Sequence, residues 1–299
     1  MNYWKMIYTR WSRESLSAWS SFKKTAYILL PLLIYFLVHD GIEVLLWALL
    51  NQFLLICGQD TAEFLKANSY TVRGTVNGLA ILVGTAAIWQ AVKREIGSKE
   101  QADTETDEDV DGGYVEKKLT SYMVLGALAF LSALGLNVLF YLLGITESSQ
   151  SFENTANAQF GVNFFAGLIL YGILSPLAEE AVFRGLMYNR MKRCFNIPIA
   201  LIVSSLLFGC YHGNFVQALY GTLLGLLIAY TYEKYHSFAA PVLFHAVANI
   251  SIFTMTYHNG LSSMDKRIGI AVTVITLAGA GICLWRIKKN CTDNSNNLG

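Results

Sequence analysis

Long apolar segments separated by short polar ones run through most of this 299-residue chain. Hydrophobic residues make up 54% of it and charged residues only 14%. A soluble protein of this size usually contains about a quarter charged residues. Windows of about 20 apolar residues are long enough to cross a bilayer as helices. The pattern therefore predicts an all-α, polytopic bundle in a lipid bilayer.

Eight apolar segments are predicted to span the membrane. They lie at about 25–57, 71–92, 119–144, 161–187, 197–213, 215–233, 238–258 and 266–287. The first segment is too long for one upright span, since its 33 residues would measure about 50 Å as a helix against a hydrocarbon core of about 30 Å. It is therefore either one tilted, overhanging helix or one span followed by a partial segment.

Charge sets the predicted orientation. If the first segment crosses once from a cytosolic N-terminus, 17 of the 22 Lys and Arg residues fall in cytosolic segments and four outside. This distribution obeys the positive-inside rule and predicts that both termini are cytosolic. The formal net charge of +1 gives no argument for a nucleic-acid partner.

Three polar segments flank or interrupt the predicted spans. Residues 1–24 are basic and aromatic, which predicts either a segment at the membrane surface or an ordinary cytosolic tail. Residues 93–118 are acidic with basic ends, which predicts a flexible cytosolic linker. Residues 288–299 are predicted to be a cytosolic tail. The five cysteines form no CxxC pair and are predicted to be packing residues.

Two adjacent glutamates and an arginine interrupt the fourth predicted span. Glu180 and Arg184 are four residues apart, so they share a helix face and can form an ion pair. Glu179 is turned about 100° from Glu180 and has no cation in its own helix. A structural ion pair is the simpler interpretation for Glu180 and Arg184. An unpaired ionisable residue inside a membrane is a functional candidate by default, so Glu179 needs a partner on another span.

Candidate partners lie on two later spans. His212 is near the end of the fifth span, with Phe208 one turn earlier, and the seventh span places His245 and Asn249 on one face. Counting 1.5 Å per residue from the adjoining turns puts Glu179 and His212 at similar depth. The same count puts His245 about 10 Å shallower.

This set of residue types supports two kinds of hydrolytic chemistry. In the first, Glu179 acts as a general base that takes a proton from water with help from His212, and His245 and Asn249 stabilise an oxyanion. In the second, Glu179, His212 and His245 bind Zn²⁺, with water in the fourth position. The sequence does not separate the two mechanisms.

Three short motifs resemble those of a known family. EEAVFR, FGCYH and HAVAN match the patterns EExxxR, FxxxH and HxxxN, in this order and on three apolar segments. Together they resemble the CPBP intramembrane proteases, also called Abi, which include the CAAX prenyl endopeptidases and bacteriocin-immunity proteins. The resemblance covers about residues 161–258. It implies an intramembrane endopeptidase, a hydrolase whose cavity opens to the cytosol and whose substrate is a membrane-anchored or lipidated peptide or protein. The flanking sequence matches no specific eukaryotic processing enzyme, which favours a bacterial plasma membrane.

The resemblance also implies roles for the motif residues. Glu179 corresponds to the water-activating glutamate, assisted by His212, while His245 and Asn249 correspond to the carbonyl and oxyanion side. The remaining residues of the first two motifs correspond to a supporting set: Glu180, Arg184 and Phe208. Members of the family have been described both as metalloproteases and as metal-independent glutamate proteases, so Zn²⁺ stays an open cofactor.

The resulting domain organisation has a basic segment, a first group of helices, a motif-bearing core and a final helix. The boundaries are 1–24, 25–144 with the linker at 93–118, 161–258, 266–287 and the tail 288–299. A non-catalytic membrane adaptor that confers immunity is the alternative function. A transporter would also use intramembrane Glu and His, but the chain shows no two-fold repeat.

Two further features have no assigned chemistry. Gly221 and Gly225 have the GxxxG spacing that lets helices approach closely, which predicts contact between the sixth span and the motif-bearing helices. His39 and Asp40 lie in the long first segment without motif support and are left out of the predicted site.

Overall fold

The computed structural model describes residues 19–105, 115, 118–147, 149–258 and 264–296, with only the backbone described at 98–105 and 292–296. Within these residues all regular structure is helical and there is no strand. The predicted all-α class is therefore confirmed. Most of the predicted N-terminal segment 1–24 lies outside the described residues.

The described residues form ten helices. They are α1 (Ser21–Ile56), α2 (Gln59–Ala67), α3 (Ser69–Glu105), α4 (Leu119–Leu142), α5 (Gln150–Phe160), α6 (Phe164–Cys194), α7 (Ile197–Tyr211), α8 (Phe215–Tyr235), α9 (Ala239–Tyr257) and α10 (Lys266–Asn296).

Seven of the helices in the described part are long and apolar enough to cross a bilayer. Helix α7 is apolar but has only 15 residues, so it measures about 22 Å against a hydrocarbon core of about 30 Å. The prediction of eight spans is thus confirmed for seven segments, whereas the segment at 197–213 forms a helix too short to cross. Helix α7 ends at Tyr211, directly before His212.

The long first segment forms one uninterrupted helix. Helix α1 has 36 residues, which corresponds to about 54 Å, and it continues through Pro31 and through the polar stretch at 39–41. It packs along α3. Of the two predicted alternatives, the single overhanging helix is the one that forms.

The flexible linker predicted at 93–118 is wrong for the residues that the structure describes there. Helix α3 continues to Glu105, because Lys, Glu, Gln and Ala favour a helix even where no apolar face is present. Val115 is buried, and its N–H donates to the carbonyl of Lys234 at 2.9 Å. Residues 106–114, 116 and 117 lie outside the described residues.

Helix α6 is the centre of the bundle. It contacts α1, α3, α7 and α9, while α1 pairs with α3, α7 with α8, and α4 with both α9 and α10. One buried apolar cluster joins α1, α3, α6 and α7 and includes Tyr35, Phe183 and Phe208. A second joins α4, α8, α9 and α10 and includes Leu125 and Phe244. The motif residues on α6, α7 and α9 lie where these two clusters meet.

Two wide π-type turns interrupt the regular winding of α6. They span Leu170–Leu174 and Ala181–Tyr188, and the α-helical segment Ser175–Glu180 lies between them. Such turns are rare and occur frequently at functional sites. Gly172 brings α6 close to α9, since a Cβ there would meet Ile250 Cγ1 at 2.7 Å. The glutamates are therefore held on a locally rewound helix that is pressed against its neighbour.

Candidate active site

The ion pair predicted within α6 is confirmed. Arg184 Nη1 donates to Glu180 Oε1 at 3.0 Å, and both side chains are completely buried. Arg184 Nη2 donates to the carbonyl of Gly225 on α8 at 3.0 Å. The guanidinium also lies over the Phe208 ring, with Cζ 4.5 Å from its centroid. The arginine therefore ties α6 to α7 and α8 while it neutralises Glu180.

Glu180 also fixes the orientation of His245. His245 Nδ1 lies 2.8 Å from Glu180 Oε1. A carboxylate oxygen only accepts, so Nδ1 carries the hydrogen of this bond. In the neutral imidazole Nε2 is then left without a hydrogen, and it lies 3.8 Å from Glu179 Oε2. The pair Glu180–His245 thus presents a basic nitrogen to the second glutamate.

The end of α7 orients His212 in the same way. Its Nδ1 lies 2.9 Å from the carbonyl of Phe208, which can only accept, so Nε2 is again the bare nitrogen of the neutral ring. This Nε2 lies 3.9 Å from Glu179 Oε2. Gly213 follows with φ +73°, a left-handed conformation that glycine adopts freely, and it turns the chain into α8. The Phe208 ring packs edge-on against the rings of His212 and His245, at 5.1 Å and 5.5 Å between centroids.

Glu179 is the acceptor on which these groups converge. Its Oε1 accepts a hydrogen bond of 2.5 Å from the hydroxyl of Ser175, one turn earlier in α6. Its Oε2 is buried and has no hydrogen-bond partner among the residues that the structure describes. Two bare imidazole nitrogens therefore lie within 4 Å of one carboxylate oxygen. A water molecule can donate to two of these acceptors at once, and polar groups just beyond 3.5 Å are often bridged in this way.

The same three residues are chemically suitable for zinc but are spaced too widely for it. Two ligands at about 2.05 Å in a tetrahedron are roughly 3.3 Å apart, and the distances from Glu179 to the two histidines exceed that. Within the described chain, another group of three residues has potential ligand atoms that all lie within 4.8 Å of one another. This group is on α1 and consists of His39, Asp40 and Glu43. To bind Zn²⁺, the three side chains would have to move closer together.

Asn249 lies beside the site but bonds to the backbone. Its Nδ2 donates to the carbonyl of Tyr171 at 3.0 Å, and Tyr171 belongs to the first π-type turn of α6. The predicted common face of His245 and Asn249 therefore meets α6. The predicted 10 Å difference in depth for His245 is wrong, because it assumed two cytosolic turns of equal height and the ring lies within 3.8 Å of Glu179.

Ser175 is a site residue that sequence reasoning missed. The signal was present, since Ser175 precedes Glu179 by four residues and so shares its helix face. A serine in an apolar helix is common, however, and its hydroxyl usually bonds to the backbone carbonyl four residues earlier. Only the structure shows that the hydroxyl bonds to the carboxylate.

A second buried group of charges lies near the C-terminal end of α6, and the sequence did not predict this one either. We call it the Glu95 cluster: Glu95, Arg190, Arg193 and Tyr27. Arg190 Nε donates to Glu95 Oε1 at 3.2 Å, and Arg193 Nη2 forms an ion pair with Glu95 Oε2 at 2.7 Å. The Tyr27 hydroxyl donates to Glu95 Oε1 at 3.3 Å. The predicted spans had left Glu95, Arg190 and Arg193 in solvated segments between helices.

Comparisons with known proteins agree with the motifs. Residues 161–251 match the family model of the type II CAAX prenyl endopeptidases, described as Rce1-like. A putative membrane peptidase of Bacillus subtilis (strain 168), YdiL, is 24% identical over 116 residues, which is 39% of this chain. The chain spans about half the length of this curated relative, 47% of it. No solved structure gives a significant match.

The segment that matches contains every residue of the three motifs and ends just after Asn249. The family is named for an endopeptidase, and the relative is named as a putative membrane peptidase. They therefore confirm the resemblance: residues 161–251 of this multi-pass membrane protein are similar to the CAAX prenyl endopeptidase family.

Proposed function

We propose that this protein is an intramembrane endopeptidase in which Glu179 activates a water molecule for attack on a peptide bond. The observation that supports this most directly is the convergence of Glu179 Oε2, His212 Nε2 and His245 Nε2. All three are acceptors when the imidazoles are neutral, so the group best suited to lie among them is one that donates hydrogens. Water meets that requirement, and it is also the reactant that hydrolysis needs.

The proposed reaction proceeds in two steps, addition of water to the carbonyl and then cleavage of the C–N bond. Glu179 removes a proton from water as the oxygen adds to the peptide carbonyl carbon, and the carbonyl π electrons move onto oxygen to give a tetrahedral oxyanion. The oxyanion then re-forms the carbonyl as the C–N bond breaks. The proton on Glu179 passes to the leaving nitrogen, giving a new carboxyl group and a new amine. His212 and His245 orient the water and lower the cost of moving its proton.

Glu180 and Arg184 act as positioning residues in this proposal. Glu180 holds the hydrogen of His245 on Nδ1, and Arg184 prevents Glu180 from taking that proton. Phe208 packs against both imidazoles and against Arg184, so this one buried ring helps to hold three functional side chains in position. His212 is more accessible than Glu179, with a side-chain exposure of 22% against 10%, and we propose that substrate approaches from its side.

The substrate class follows from the similar proteins and from the bilayer. We propose a membrane-anchored or lipidated peptide or protein, cleaved in a plasma membrane through a cavity open to the cytosol. The name of the matching family supports a prenylated C-terminus as one member of that class. Zinc held by Glu179, His212 and His245 is the mechanistic variant, and it requires the three ligands to move closer together.

Cleavage by the purified protein tests the proposal. Wild type and Glu179→Gln would be reconstituted in proteoliposomes with a panel of membrane-anchored peptides, farnesylated CAAX peptides and unprenylated transmembrane peptides. We expect cleavage by wild type and a loss of about 10³-fold in Glu179→Gln, as for removal of a general base. Zinc measured by mass spectrometry on the same sample separates the mechanisms, since a stoichiometric amount would support the metal variant.

An equal lack of cleavage by both proteins across the panel would count against the proposal. A non-catalytic adaptor would then be tested by the cellular phenotype of Glu179→Gln. An adaptor that needs only the fold keeps its phenotype in this variant, whereas an enzyme loses it.

A further inference from the structure

Two prolines lie inside long helices of the described chain, Pro31 in α1 and Pro176 in α6. A proline in such a position has no N–H for the carbonyl of the preceding turn, and its ring crowds that carbonyl. A carbonyl released in this way inside a bundle needs a donor from elsewhere, because a buried backbone oxygen without a partner is costly. Each proline therefore creates an acceptor on its own helix that a side chain of another helix can use.

At Pro31 the released acceptor serves the Glu95 cluster. The carbonyl of Tyr27 lies four residues before Pro31 and so receives no amide hydrogen from that position. Arg190 Nη1 donates to this carbonyl instead, at 2.7 Å. The bond joins α6 to α1, and it shows how a gap in the backbone hydrogen bonds of one helix can hold a side chain of another.

At Pro176 the released acceptor serves the candidate active site. In a regular α-helix the Ser175 N–H would donate to the carbonyl of Tyr171. In the first wide turn of α6 it donates to the carbonyl of Leu170 instead, five residues earlier. The next residue is Pro176, which has no N–H to continue this pattern with Tyr171. The Tyr171 carbonyl thus loses both of these helical donors, and Asn249 Nδ2 of α9 donates to it at 3.0 Å.

The bond to Tyr171 decides which way the Asn249 amide faces. A carbonyl oxygen only accepts, so the amide must turn Nδ2, and not Oδ1, toward it. Nδ2 carries two hydrogens, and among the described residues the second one has no acceptor. Asn249 lies one turn after His245, whose Nε2 is 3.8 Å from Glu179 Oε2. The second N–H is therefore free to meet a substrate, on the helix face that also carries His245.

We propose that Pro176 is a positioning residue, which keeps the Tyr171 carbonyl free to hold one N–H of Asn249 while the other N–H donates to the oxygen of the scissile carbonyl. This assignment rests on the proposed function and on the oxyanion role that the resemblance implies for Asn249. With a backbone N–H at position 176, the carbonyl would have a donor in its own helix. The amide could then turn over and present Oδ1, an acceptor, to an oxygen that is gaining negative charge.

Pro176→Ala tests the assignment, because it restores the missing N–H. We expect kcat to fall about tenfold with little change in KM, as for the loss of one hydrogen bond that acts in the transition state. The midpoint of thermal unfolding should stay equal or rise, since alanine favours a helix far more than proline does. Pro31→Ala is the matched control. It returns an N–H to the carbonyl of Tyr27, within the Glu95 cluster, and the folded protein should keep the wild-type kcat.

A double-mutant cycle with Asn249→Ala shows whether Pro176 acts through Asn249. We expect Asn249→Ala to lower kcat about 10²-fold, as for the loss of one oxyanion donor. In that background Pro176→Ala should change kcat by less than about twofold, because no amide is left to position. A wild-type kcat in Pro176→Ala, or an equal fall with and without Asn249, would overturn the inference and leave the endopeptidase intact.

Thermal unfolding of the same four proteins gives a measurement that needs no cleavage. Asn249→Ala leaves the Tyr171 carbonyl without its donor, so we expect the midpoint to fall by about 2–4 °C. The fall should be smaller in the Pro176→Ala background, where the new N–H can serve the carbonyl. A wild type that cleaves no peptide of the panel would overturn the proposed function, while this coupling would still support Pro176 as the residue that frees Tyr171 for Asn249. Equal falls in the two backgrounds would overturn the inference as well.

Discussion

Two buried groups of charged residues lie along helix α6, and their net charges have opposite sign. Near the end of α6, the single carboxylate of the Glu95 cluster meets two arginines and a tyrosine hydroxyl. Near its middle lie two adjacent carboxylates, of which only Glu180 pairs with an arginine. The Glu95 cluster therefore has an excess of positive charge, part of which reaches the surface, since Arg193 is 33% exposed. The central group has an excess of buried negative charge on Glu179.

The difference separates a structural site from a reactive one. Burying an ion without a partner is costly, so a fold that needed only stability would neutralise every carboxylate. The Glu95 cluster does this and joins α1, α3 and α6. The central group does it for Glu180 and leaves Glu179 with two bare imidazole nitrogens and a serine. The lack of a permanently charged partner among the described residues is the feature that distinguishes Glu179 from its immediate neighbour Glu180, which pairs with Arg184.

Glu179→Gln is the most direct test of the difference between the two groups of charged residues. We expect cleavage to fall by about 10³-fold, since the general base is lost. We expect the midpoint of thermal unfolding in detergent to stay equal or rise, because an uncompensated buried charge is removed. Peptide cleavage and thermal unfolding of the same sample check both. A variant that unfolds more easily would show that Glu179 is a structural residue.

Glu95→Gln should give the opposite result. It leaves Arg190 and Arg193 without their carboxylate, so the free energy of unfolding should fall by about 3 kcal/mol or more. The folded fraction should cleave peptide at the wild-type rate. Unfolding in detergent and activity per folded molecule are the measurements. The matched control is Glu63→Gln on the exposed helix α2, which should change neither. A large fall in activity with no loss of stability would contradict the structural role.

Gly225→Ala tests how tightly the arginine is held. A Cβ at this position would lie 3.2 Å from Arg184 Nη2 and 3.1 Å from Phe208 Cδ1. Both neighbours are buried, so we expect a loss of about 1–3 kcal/mol in the free energy of unfolding from overpacking, and lower activity because Phe208 also packs against both histidines. Gly126→Ala is the control, since a Cβ there meets nothing within 4 Å. It should be neutral or stabilising. Equal unfolding midpoints for the two variants would refute the close approach.

Ser175→Ala should have the smallest effect. The serine hydroxyl holds Glu179 Oε1 through a charge-assisted hydrogen bond, and its loss removes about 1.5 kcal/mol of interaction from the carboxylate. We expect kcat/KM to fall about tenfold while stability changes little. Ser251→Ala, which removes a hydroxyl bonded to the carbonyl of Val247 on α9, is the control and should retain full activity. Unchanged kcat/KM in Ser175→Ala would show that Glu179 needs no support from this serine.

Local spacing predicted some contacts correctly. The four-residue interval from Glu180 to Arg184 is a property of one helix, so the ion pair follows from the sequence. The GxxxG spacing also predicted close contact with the motif-bearing helices, and Gly225 lies against Arg184 and Phe208. The role of each motif residue in catalysis stays a prediction.

Contacts between helices were harder to predict from the sequence. The depth count failed for His245 because it needed the relative heights of two turns, which depend on the packing of whole helices. The Glu95 cluster was missed for the same reason, since Tyr27, Glu95 and Arg190 are far apart in the chain. The predicted span at 197–213 forms a shorter helix, because its apolar composition says nothing of where Gly213 turns the chain.

The sequence by itself determined the helical class, the seven apolar helices that can cross a bilayer, and the identity of the residues that resemble a peptidase site. These follow from composition, from local periodicity and from short motifs, which need no knowledge of distant contacts. Only the tertiary structure decided which glutamate holds the hydrogen of His245 and which imidazole nitrogens face Glu179. Those properties depend on the direction of hydrogen bonds between separate helices, and such bonds form only when the bundle packs.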